Sequence, residues 1–106
     1  MSLSESIRQL CLLTQQALVA GNNNCWDETK GLLDTRDAML PAVDAELTIQ
    51  RHNLDIESHE QLQQLQQLND ELTNLAIQHR DTTLLHCANI NQKHKAILSY
   101  LDNSAE

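Results

Sequence analysis

Gln61-Leu62-Gln63-Gln64-Leu65-Gln66-Gln67-Leu68-Asn69-Asp70-Glu71-Leu72-Thr73-Asn74-Leu75 sets a leucine at every third or fourth position of a glutamine-rich run. Apolar residues at that spacing line up on one side of an α-helix, and glutamine is a good helix former, so the run reads as helix with a polar outer surface. Leu65/Leu72 and Leu68/Leu75 are heptad pairs, and this short stretch could form a coiled-coil seam. Toward the C-terminus the same face continues through Ala76, His79, Thr83, Cys87, Ile90, His94, Ile97 and Leu101. Between Leu72 and Leu101 the step averages about 3.6 residues, the period of a bundle helix rather than of a long supercoil. Ser58-His59-Glu60-Gln61 has the form of a capping box, which predicts a bend over Asn53 to Ser58 followed by one long final helix.

Two further helices precede it. Ser2-Leu3-Ser4-Glu5 is another capping box, and Leu3, Ile7, Leu10, Thr14, Ala17 and Leu18 form the inward stripe of a first helix. Gly21 to Asn24 supplies residues that tolerate left-handed backbone or cap a helix, so Asn23 or Asn24 is expected to open the second one. Asp27 and Glu28 then stand where carboxylates meet the positive end of the helix dipole. Trp26, Leu33 and Leu40 lie seven apart on one face, with Arg36 beside them, and all four are expected to be structural. Pro41 lacks an amide hydrogen and is expected to kink this helix or to start another. From Ala42 onward there is no Gly or Pro to interrupt helix.

Composition agrees with this pattern. The chain has 106 residues, with 2 Gly, 1 Pro, 1 Trp, 1 Tyr and no Phe, and so lacks the aromatic and turn residues of sheet proteins. It is expected to be one domain, residues 1–106, folded as an elongated antiparallel all-α bundle or hairpin of three to four helices. The net charge of −8 and the scatter of the 7 basic residues argue against nucleic acid as a partner. No apolar run reaches the roughly 20 residues that span a bilayer and none resembles a secretion signal, so the expected location is the cytoplasm. Cys11, Cys25 and Cys87 are odd in number and far apart, as reduced thiols are.

Nothing in the chain has the form of a catalytic site, and the protein is expected not to be an enzyme. His79/His86 and Cys87/His94 are seven apart, about 10 Å along a helix and too far to share one zinc, so neither a metal nor a cofactor is expected. His59-Glu60 lacks the second histidine of a zinc-protease motif, and no glycine-rich phosphate loop is present. A histidine phosphotransfer domain has this size and class, but neither His79-Arg80-Asp81 nor His86-Cys87-Ala88 is followed by the expected Lys-Gly. What remains is partner binding: a thin bundle has difficulty covering all its leucines, which favours dimerisation or a docked partner.

Residues Ile7 to Leu47 resemble the flagellar export chaperones of the FliT kind, and more distantly those of the FlgN kind. The resemblance rests on the Leu- and Gln-rich first helix, the turn Gly21 to Asn24, Trp26-Asp27, and Leu32-Leu33-Asp34-Thr35-Arg36. Beyond Leu47 only the architecture is similar. The resemblance implies a cytoplasmic chaperone of type III export in flagellum biogenesis, holding a filament-cap or hook-filament junction client. It also implies delivery to the export ATPase complex and, in some members, binding of a transcriptional regulator. Leu62, Leu65, Leu68, Leu72 and Leu75 are then the residues expected to line the client groove, with the segment from Asn89 to Glu106 as a detachable cover. A helical adaptor outside flagella is the alternative.

Overall fold

The computed structural model describes residues 2–81, 84–85 and 94–104, residues 101–104 by their backbone alone. It is all-α, as the periodicity predicts, with no strand among the described residues. Helix α1 spans Leu3–Asn22, α2 Trp26–Gln50, α3 Ile56–His79 and α4 Lys95–Ser104. The principal extents are 40 × 28 × 22 Å. Helix α1 packs against both α2 and α3, and the short α4 packs against the other sides of α2 and α3, so α2 and α3 stand on a diagonal of the bundle.

The first stripe is placed as read: Leu3, Ile7, Leu10, Thr14, Ala17 and Leu18 are all buried. Ser2 caps α1 by accepting from the Glu5 amide at 3.2 Å. The other boundaries depart from expectation. Gly21 remains inside α1, and the left-handed residue is Asn24, at φ 62°. The Asn24 amide donates to the Gly21 carbonyl and the Cys25 amide to that of Ala20, which closes α1 with a Schellman motif. A Cβ on Gly21 would come within 2.7 Å of Leu75 Cδ2 and 3.2 Å of Trp26 Cζ3. The glycine therefore leaves room for the ends of the Leu75 and Trp26 side chains, and its φ does not require it.

Helix α2 is opened by Cys25 without a side-chain cap, not by Asn23 or Asn24, and runs through Pro41 as a single helix. Pro41 is exposed, on the side of α2 away from the core. Asp55, not Ser58, caps α3: its carboxylate accepts from the Ser58 amide at 2.7 Å, and Ser58 is buried one turn inside. This bonding holds the Asp55 carboxyl below its ordinary range.

The expected unbroken final helix ends at His79. Arg80 takes φ 56°, and the Arg80 and Asp81 amides donate to Ile77 and Ala76 in a second Schellman motif. Asp81 then accepts from the Leu84 amide at 3.0 Å and pairs with Lys30 at 3.2 Å. Thr83, His86, Cys87, Ile90 and Lys93, with the side chain of Leu101, lie outside the described residues.

Two buried clusters make up the core. The lower one contains Leu3, Ile7, Leu10, Cys11, Leu40, Val43, Leu47, Leu62, Leu65 and Ile97, drawn from α1, α2, α3 and α4. The upper one contains Ala17, Leu18, Leu33, Leu72, Ala76 and Leu84. Between them lies a polar layer formed by Thr14, Arg36 and Asn69.

Candidate partner-binding site

Arg36 is fully buried at the centre of that layer. Its Nη1 donates to Asn69 Oδ1 at 3.0 Å and to Thr14 Oγ1 at 3.4 Å, and its Nε and Nη2 donate to Asp37 Oδ1. One side chain thus ties α2 to α1 and to its diagonal neighbour α3. Burial pushes the Asp37 carboxyl above its ordinary range, while the adjacent Arg36 guanidinium opposes that rise. Sliding of one helix past another would strand this buried charge without its partners. Leu33 and Leu40 are fully buried on either side. Trp26 is half-buried and stacks on the exposed His79 ring, with centroids 3.8 Å apart. Its role is to close the upper end of the bundle rather than to sit in the core.

The five leucines expected to line a groove are divided differently. Leu62, Leu65 and Leu72 are buried and belong to the core, and Leu68 and Leu75 are half-buried at its edge. No open groove therefore runs along α3 from Leu62 to Leu75. The reason is packing on both sides: Leu84 joins the upper cluster with Leu72, while Ile97 of α4 inserts among Leu62, Leu65 and the other lower residues.

Helix α4 thus covers only the lower half. Ile97 is its one fully buried apolar side chain among the described residues, with Ala96, Leu98 and Tyr100 partly buried beside it. Polar ties hold it as well. Asp44 of α2 accepts from the Ile97 amide at 3.0 Å, Arg51 donates to Ser99 Oγ at 2.7 Å, and the Tyr100 hydroxyl meets His59 Nδ1. His94, just before α4, is buried.

Cys11 is buried in the lower cluster, where its thiol donates to the Gln61 carbonyl and burial pushes its pKa up to about 11. Cys25 is exposed. Among the described residues no three potential metal ligands come together, and no helix is long and apolar enough to cross a membrane.

Sequence reasoning missed Asp44, Arg51 and His59 as the seats of α4. Only the position of Asp44 on the rim of the α2 stripe, next to Val43, could have hinted at its role. Compared with family models, with curated proteins and with solved structures, the chain gives no significant match in any of the three.

Proposed function

We propose that this protein is a small helical holding chaperone or adaptor whose lower core half accepts a helix of another protein in place of α4. The observation that supports the reading is the nature of the α4 seat. This ten-residue helix packs chiefly against α2 and α3; among the described residues Ile97 is its fully buried side chain, and polar ties run from the Ile97 amide, Ser99 and Tyr100 to Asp44, Arg51 and His59. Such an element buries little apolar area per residue and opens at lower cost than the rest of the bundle. Its removal would uncover Leu62, Leu65, Leu40 and Leu47, an apolar trough with helical walls, which is what a helix-in-groove partner requires. The resemblance of residues 7–47 to export chaperones of the FliT kind gives the occupant a class: a flagellar filament-cap or hook-filament junction protein, held before export. Delivery to an export ATPase complex and binding of a transcriptional regulator belong to the same reading.

The test is a chain truncated after Ala88, compared with the full chain for cooperative melting and for capture of co-expressed flagellar export clients. The reading expects a folded truncated protein that captures a client more strongly. Loss of its cooperative transition would make α4 plain core and sink the proposal. Equal capture by both chains would show that α4 does not compete.

A further inference from the structure

A second concavity lies between α1 and α2, lined by residues that α4 does not reach. It is a hollow of about 580 Å³ whose walls include Leu12, Val19 and Leu32, with Glu28 and the exposed Cys25 at its rim. Leu12 and Val19 are 45% and 55% exposed. They are seven residues apart, about two turns or 10 Å along one side of α1. Scattered surface aliphatics are ordinary and need no partner. Ile49, Ile56 and Ile77, also exposed, do not line this hollow. Leu12 and Val19 differ because they flank one concave surface together with the half-buried Leu32.

Charge identifies the occupant. Among the described residues Glu28 is the sole charged one lining the hollow, and a second hollow, where the start of α3 meets α1 and α2, carries Glu46 and Asp55; no described Lys or Arg lines either. On a chain of net charge −8, a second copy would set acidic surface against these carboxylates, and an anionic membrane would be repelled. A helix with aliphatic side chains at i, i+3 or i+4 and i+7 would match the Leu12/Val19 spacing, and a Lys- or Arg-bearing flank would lie over Glu28. We infer that the α1/α2 hollow is a docking site for a basic amphipathic helix of a partner protein, separate from the α4 seat and independent of the function proposed above.

The test uses the full chain and two fluorescein-labelled synthetic helices with the same leucine pattern, one with lysine and one with glutamate at its polar positions. Anisotropy should show binding of the lysine helix and not of the glutamate helix. Leu12→Ser and Val19→Ser, both at exposed sites, should each weaken that binding by about tenfold. Ile49→Ser and Ile77→Ser should leave it unchanged. The bound helix should also protect Cys25 from iodoacetamide, read by mass spectrometry of its tryptic peptide. The inference fails if neither helix binds, or if both bind alike. It also fails if binding ignores Leu12 and Val19 while Cys25 remains open to alkylation. Sedimentation equilibrium showing a dimer that Leu12→Ser dissociates would overturn it in favour of a second copy.

Discussion

The lower and upper halves of the bundle solve the same packing problem by different means. Below the Arg36 layer the core consists almost entirely of Leu, Ile and Val from four helices, and the helix starts are closed by side chains, Ser2 on α1 and Asp55 on α3. Above it the helices come close through Ala17, Ala76 and Gly21, and their ends are closed by left-handed residues, Asn24 and Arg80. The lower half buries more apolar surface and includes a short, separately seated helix. The upper half places small residues among its leucines and has a Trp26–His79 stack as its lid. Bulk of burial thus resides where α4 docks, and precision of fit resides at the other end.

If the polar layer couples the halves, its loss should be felt in both. Arg36→Ala leaves Thr14, Asn69 and Asp37 facing a cavity and is expected to cost about 3–5 kcal/mol in chemical denaturation. Arg36→Lys, which keeps the charge but not the planar fork, should lose less. A two-step transition in Arg36→Ala would mean that the halves are separate folding units joined through this residue. An unchanged midpoint would contradict its burial.

Alkaline titration isolates the lower half. The Cys11 thiol is held protonated to about pH 11, against 9.0 for an unperturbed cysteine. Below pH 9 the thiol is neutral in both folded and unfolded chains, and its share of stability is fully present. As pH rises from 9 to 11 the unfolded chain releases the proton first, so stability falls by about 2–3 kcal/mol. Cys11→Ala should flatten that part of the stability–pH curve; the same slope in the variant would show that Cys11 is not its source.

The upper half is tested by smaller changes. Trp26→Ala removes a half-buried ring and its stack on His79, for an expected loss of about 2 kcal/mol, short of the cost of a fully buried tryptophan. Gly21→Ala gains helix propensity but forces the end of Leu75 aside, and a net loss of about 1 kcal/mol is expected. A more stable Gly21→Ala would show that Leu75 yields freely. Arg80→Gly relieves a left-handed arginine and should raise stability by about 1 kcal/mol. Because Arg80 ends α3 just before Asp81 and its bond to Lys30, a melting temperature that falls instead would reveal a role for the Arg80 side chain.

The same contrast explains what the sequence disclosed. The stripes Leu3 to Leu18 and Leu33/Leu40 were readable because large aliphatics at helical spacing have few other uses, and the Ser2 cap because hydroxyl and carboxylate stand at the capping distance. Arg80 was not readable, since a left-handed helix end is normally marked by Gly or Asn, and Arg carries no such mark. Asp55 and Ser58 are both capping residues three apart, and only the buried position of Ser58 decides between them. Leu62, Leu65 and Leu72 have the periodicity of a groove and of a core alike. Which one they form depends on whether Ile97 and Leu84 fold over them, a matter of long-range docking that local pattern does not encode. The hollow at Leu12 and Val19 was missed because two aliphatics on an otherwise polar side of α1 do not stand out until α2 is laid beside them.

Asp44 has one further consequence. Because it sits on α2 and accepts from the Ile97 amide, part of the N-terminal capping of α4 comes from a different helix. A helix of ten residues is too short to persist alone in water, and once away from α2 this one also loses that acceptor. Detachment and unwinding are therefore a single event. The segment leaves as random chain, regaining roughly 1–2 kcal/mol of backbone entropy per residue, which offsets much of the lost burial. Were α4 to leave its seat, residues 95–104 would pass from a docked helix to a loose chain open to proteolysis, and the rate of nicking there would measure how often the seat is empty.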